Sequence, residues 1–279
     1  MQRTPQAPSP ASLSAAGRAE LRGLAAALKA AKPGESVHGA RRRIKRVRSL
    51  LRLLKETLGE ERFAAANTSL GNAADALAGQ RRAEALVAAA GRLGGGYKGR
   101  AAWQSLAEAH AAESEAGGGL APARAAIAEA LSVLAAPRLP RGPSPAVAAA
   151  FLKTYRRARK RLRHGFETGD AEALHTARKH VIHHLHHLDL LRDHLRRTDS
   201  RLAALERLRG ALGDLNDLDE LSQLGAAAGR PLPEPAARSM AKHRAQLLAR
   251  AEASAERLFR LKPEAFRKRI GAMWETKQR

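Results

Sequence analysis

The chain is predicted to be all-α, as two tandem antiparallel helical bundles of about four helices each, arising by internal duplication. Three observations predict this. Ala, Leu, Arg and Glu dominate, apolar residues recur at spacings of three and four, and no stretch alternates convincingly with β-branched residues. Pro- and Gly-rich segments punctuate the chain at helix-sized intervals, the strongest being "APRLPRGPSP", Ala136 to Pro145. On either side of that break the same landmarks recur in the same order. "ESVHGARRRI" (Glu35 to Ile44) lies without a gap over "EALHTARKHV" (Glu172 to Val181). "SLGNAADAL" (Ser69 to Leu77) lies over "ALGDLNDLD" (Ala211 to Asp219), sharing Leu-Gly and an Asp four residues after the Gly.

The elements follow in order. Residues 1–17, rich in Pro, Ser and Ala and without an apolar core, read as a disordered tail and not as a signal peptide. Residues 18–136 form the first bundle, opening with "AELRGLAAALKAAK" (Ala19 to Lys32). The next helix separates charge from core. His38, Arg41, Lys45, Arg48, Arg52 and Lys55 make one cationic stripe, flanked by Arg42 and Arg46. Val37, Ala40, Ile44, Val47, Leu51, Leu54 and Leu58 lie opposite. At the rise of an α-helix, His38 to Lys55 is a rail about 25 Å long. Like charges at these spacings destabilise a helix by a few tenths of a kcal/mol per pair, so the stripe is unfavourable unless a polyanion offsets it.

Residues 137–147 are the Pro-rich linker, and 148–279 form the second bundle. It opens with a basic helix, "FLKTYRRARKRLRHGFE" (Phe151 to Glu167), on which Arg157, Lys160, Arg161 and His164 share a broad face that can widen the cationic surface. The helix matching the first stripe follows. His175, Arg178, Lys179 and His186 take the equivalent face, with Leu174, Ala177, Val181, Leu185, Leu188 and Leu195 on the buried one. In "HVIHHLHHLDLL" (His180 to Leu191) imidazole, including that of His183, replaces much of the guanidinium. An unperturbed imidazole titrates near 6.5, so anion affinity is expected to rise on mild acidification. At the end of the chain, Phe266, Ile270 and Trp274 favour capping of the second bundle.

Composition narrows the function. Fifty Lys and Arg against 27 Asp and Glu give a formal charge of +23, which favours a polyanionic partner: nucleic acid, an anionic membrane surface or polyphosphate. Aromatic residues are only 3% of the chain, too few for the base-stacking platforms of single-strand binders. No apolar run approaches the roughly 20 residues that span a bilayer, and no membrane partner is expected. The lack of Cys removes disulfides and thiolate chemistry and is compatible with a reducing cytoplasm.

"VHGARRRIKRVRSLLRLL" (Val37 to Leu54), "LHTARKHVIHHLHHLDLL" (Leu174 to Leu191) and "LGDLNDLDEL" (Leu212 to Leu221), in their paired order, resemble the CHAD family, the conserved histidine α-helical domain proteins. The resemblance covers residues 18 to 265. It implies two bundles related by a pseudo-twofold axis, with the His helices lining a shared positive cavity. It also implies binding of inorganic polyphosphate at bacterial, cytoplasmic polyphosphate granules. Positions His38, Arg41, Arg42, Lys45, Arg46 and Arg48 match the first motif, and His175, Arg178 and Lys179 the second.

The chemistry suits that ligand. Polyphosphate offers only charge density and oxygen acceptors, to which Arg brings a two-pronged fork, Lys a mobile point charge and protonated His a donor. The binding set is therefore His38, Arg41, Arg42, Lys45, Arg46, Arg48, Arg52, Arg157, Lys160, Arg161, His164, His175, Arg178, Lys179, His183 and His186. Non-specific binding of RNA or DNA backbone is the main alternative, although no helix-turn-helix or zinc-finger framework is recognisable. His180, His184 and His187 could place imidazoles on one face for a transition metal, or His184 could be a core histidine. The acids Asp75, Asp214, Asp217 and Asp219 read as caps or partners for Arg. "GRLGGGYKGR" lacks the Gly-Lys-Ser/Thr ending of a phosphate loop. No enzymatic constellation is seen, and neither an enzyme nor a cofactor is expected.

Overall fold

The computed structural model describes residues 8–30, 37–77, 86–91, 104–105, 107–109, 120–135, 138–142, 144–195, 198–229 and 234–274. Within them the regular structure is helical throughout. The helices are α1 (Pro10–Ala30), α2 (Val37–Leu58), α3 (Glu60–Ala76), α4 (Leu120–Ala135), α5 (Pro145–Thr168), α6 (Ala171–Leu191), α7 (Asp199–Ala227), α8 (Glu234–Phe259) and α9 (Pro263–Trp274), with a 3₁₀ turn at Arg192–His194. A short helical segment lies at residues 86–91.

Local chemistry sets the boundaries. The Ser9 hydroxyl accepts from the amide of Ser12 at 3.1 Å and so caps α1. Pro145 opens α5, where a missing N–H costs nothing. Gly169 ends that helix in the left-handed region, φ 64°, and returns its amide to the Gly165 carbonyl. Asp170 then caps α6 by accepting from the Ala173 amide at 2.7 Å. The turn between the two helices is thus only two residues long, which makes them antiparallel neighbours.

In the first half α1 packs on α2, α2 on α3, α3 on α4 and α4 on α1. In the second, α5 packs on α6, α6 on α7, α7 on α8 and α8 on α5. The halves join because α2 also packs against both α5 and α6. That contact corrects the expected helical wheel of α2. Leu50 and Leu53, together with Ser49, are buried in addition to the apolar stripe, because the helix is covered from two sides. Arg41, Lys45, Arg46, Arg48 and Arg52 are half-buried beside this seam.

The expected tail and linker also change. Residues 10–17 are helical, not disordered: Leu13 and Ser14 are buried, and only residues 1–7 lie outside the description. Residues 145–147 belong to α5. The Pro140 carbonyl accepts from the Ala11 amide at 3.1 Å, so the linker is pinned to the first turn of α1. At the far end Phe266 and Ile270 of α9 are buried, and α9 packs on α5. The side chain of Trp274 lies outside the described residues.

Candidate anion-binding site

The cations of three helices converge where α2, α5 and α6 meet. Arg52 of α2 is pulled down to about 10, first by burial and then by Arg48 of its own helix and Arg157 of α5. His180 of α6 falls to about 4, by burial first, then by Arg157, Arg161, Arg52 and Lys179. Burial and then Arg52 likewise hold His183 well below its ordinary value. Every charged group shifting Arg52 and His180 is a cation, and together they come from both halves of the chain. This convergence crowds positive charge at one place.

The guanidinium groups of α2 are aimed by α3. Asn67 presents its Oδ1 to Arg48 Nε at 3.2 Å and to Arg52 Nη1 at 3.3 Å, and Arg52 Nη1 also reaches the Arg48 carbonyl at 2.8 Å. Arg41 donates to the Ala74 carbonyl. On the other side, α7 orients α6. His175 Nδ1 donates to Asn216 Oδ1 at 2.5 Å, and Asn216 Nδ2 donates to Glu220 at 3.0 Å. Burial, then Lys179, keeps His175 below its ordinary value. Gly213 lies beneath Arg178, where a Cβ would come within 3.3 Å of Nη2. The Leu-Gly landmark of α7 therefore makes room for a guanidinium.

The expected binding residues separate into groups. Arg48, Arg52, Arg157, Arg161, Lys179 and His183 are brought together at the junction, and Lys160 and His164 extend the exposed face of α5. Arg42 is exposed on α2 and Lys45 half-buried. Arg46 departs from the expectation: its Nη1 lies 2.6 Å from Asp189 of α6 and its Nε 3.8 Å from Glu20 of α1. These contacts tie α2 to α6 and to α1, with Glu20 shared with Arg43 and Asp189 with Arg192. His183 and His186 also differ, since both Nδ1 atoms meet the buried Ser49 hydroxyl, at 2.8 and 3.0 Å. The side chain of His38 lies outside the described residues.

The histidines correct the expected acid response. His186 falls to about 4 and His187 to about 3, both chiefly through burial, and His184 lies well below its ordinary value for the same reason. Burial thus disfavours the imidazolium form of all three rings in the free protein. His187 donates from Nε2 to the Ser49 carbonyl at 2.7 Å, and its Nδ1 meets Thr154 Oγ1 at 3.1 Å. His184 is a core residue, 0% exposed and stacked on Phe151 with centroids 5.0 Å apart. Among the described residues no cluster of three or more His and acidic groups could hold a metal ion. Asp219 pairs with Arg244 at 2.8 Å, the helix-to-helix role expected for it.

Sequence reasoning missed His180 as a member of the cationic junction, and missed three supports: Asn67 for Arg48 and Arg52, Asn216 for His175 and Gly213 for Arg178. All three supports lie in or beside the Leu-Gly landmarks, Asn67 four residues before Gly71 and Asn216 three after Gly213. Position was visible there, while the partner across the helix interface was not.

The CHAD domain family model matches residues 15–226. The chain belongs to the CHAD domain family. CHAD domains are known as polyphosphate-binding or related domains. Two solved structures share the fold. The CHAD domain from the plant Ricinus communis is 19% identical, with a TM-score of 0.52 over 99% of this chain and 94% of that one. PptA from Streptomyces chartreusis is 20% identical, with a TM-score of 0.59 over 93% of this chain and 99% of that one. No curated protein matches the sequence. In this CHAD chain, α8 and α9 lie beyond the matched residues. Among the described residues no helix is long and apolar enough to cross a membrane.

Proposed function

We propose that this CHAD protein binds inorganic polyphosphate, without catalysis, at the junction of α2, α5 and α6, and that it associates with polyphosphate granules. The observation that carries the reading is the gathering of Arg48, Arg52, Arg157, Arg161 and Lys179 from both halves around one another. Packing like charges together is unfavourable in the free protein, and a flexible chain of phosphates relieves it at several positions at once. Arg48 and Arg52 would clamp oxygens in orientations set by Asn67, while Arg157, Arg161 and Lys179 neutralise neighbouring phosphates. The matching rings of four helices support reading the halves as copies of one duplicated unit, which would present His175 and Arg178 as the second copy's contribution.

The test is a competition titration of labelled long-chain polyphosphate against duplex DNA and structured RNA, at equal phosphate concentration and fixed salt. Wild-type protein is expected to prefer polyphosphate. Arg52→Glu/Arg157→Glu should weaken it by roughly a hundredfold, taking about 1.4 kcal/mol per lost charge-assisted contact as tenfold. Equal or better competition by nucleic acid would replace this reading with a general polyanion binder.

A further inference from the structure

A second concentration of arginine lies away from the junction, where the linker between the halves crosses the start of α1. A cavity of about 500 Å³ opens there, lined by Ala11, Ser14, Arg18, Arg138, Leu139 and Arg141. Its size suits a small ligand. Three of the six lining residues are arginines, and none of the six is acidic. Arg138 and Arg141 are exposed on the linker, while Arg18 is anchored by donating from Nη1 to the Leu134 carbonyl at 3.1 Å. The linker is held in place by the Ala11 to Pro140 hydrogen bond, so the arginines of the two segments face a common space.

Ser14 supplies the independent observation. It is 1% exposed, lines the cavity, and its Oγ has no hydrogen-bond partner. A buried hydroxyl left unmatched costs free energy comparable to a lost hydrogen bond. The end of α1 does not account for the site: Pro10 has no amide hydrogen, Ala11 donates to Pro140, and Ser12 and Leu13 donate to Ser9. The amides at the start of α1 are thus spent, and the lining side chains able to donate are those of Arg18, Arg138, Arg141 and Ser14.

We infer that this cavity is a second anion site, taking a compact phosphate oxyanion such as pyrophosphate or the end group of a phosphate chain. Arg138 and Arg141 supply charge and paired donors, Arg18 adds its remaining guanidinium donors, and Ser14 donates to a phosphate oxygen. The site needs no occupancy of the junction between the halves.

The experiment is calorimetric titration of the full chain with inorganic pyrophosphate, in wild type and in three variants. Arg52→Glu/Arg157→Glu, which disables the junction, is expected to keep pyrophosphate binding within about twofold. Arg138→Glu/Arg141→Glu should lose it by more than about tenfold, and Ser14→Ala should weaken it by about threefold to tenfold without loss of melting temperature. Both linker arginines are exposed, so folding is not at risk from their replacement. Loss of pyrophosphate binding in the junction variant, with none in the linker variant, would overturn the inference. Parallel titration with long-chain polyphosphate separates the two sources of the oxyanion. If free pyrophosphate does not bind, weaker long-chain binding in the linker variant assigns the site to chain ends. If neither ligand responds to Arg138→Glu/Arg141→Glu, the inference fails.

Discussion

Ser49 carries more of the seam than its size suggests. A serine hydroxyl has one hydrogen to give and two lone pairs to offer, and here three polar neighbours surround it. Its oxygen lies 2.9 Å from the Lys45 carbonyl, to which it donates, and 2.8 and 3.0 Å from Nδ1 of His183 and of His186, while its own carbonyl accepts from His187. His187 therefore carries its proton on Nε2, because a carbonyl can only accept. Ser49→Ala should cost about 1–3 kcal/mol by leaving buried partners unmatched. Chemical denaturation would measure it, and a loss below about 0.5 kcal/mol would remove the network as a source of stability. None of this was legible in "VRSLLRLL", where one small polar residue interrupts an apolar run. The imidazole cluster was legible as unusual, but its role depended on which helix lay opposite.

At the scale of elements, the basic helices were readable and their surroundings were not. The period of apolar residues located α2 and α6. A wheel describes one helix against one core, whereas α2 has neighbours on both sides, so Arg41, Lys45, Arg48 and Arg52 of the cationic stripe are half-buried beside the seam. α9 was legible from Phe266 and Ile270, and its role is clear in the aromatic cluster. Phe266 stacks on Tyr155 with centroids 3.7 Å apart, and the Arg201 guanidinium lies 5.2 Å from its ring. Tyr155 donates its hydroxyl to the Leu261 carbonyl at 2.9 Å, holding the short connection that leads into α9. Phe266→Ala should therefore cost about 3–5 kcal/mol, part transfer and part cavity. A denaturation midpoint close to wild type would show instead that α9 contributes little to the second bundle.

For the whole molecule, the buried imidazoles make stability depend on pH in a stated direction. Their folded values lie below the unfolded value near 6.5, so below that pH the unfolded chain binds more protons than the folded one. Their contribution is complete above about 6.5. It declines as pH falls toward about 4 for His180 and His186 and about 3 for His187. Melting temperature should drop between about pH 7 and about pH 5 in the free protein, and a flat profile would contradict burial of neutral rings. The helical class could be read from composition and from the spacing of apolar residues. The seam at Ser49 and the cavity beside the linker required the chain's path through space. That path has one more consequence. The Ala11 to Pro140 bond brings the entry of the first half to within 3.1 Å of its exit. Joining those two ends through a short loop would not stretch the chain between them, so the geometry for permuting the first half rests on a single hydrogen bond.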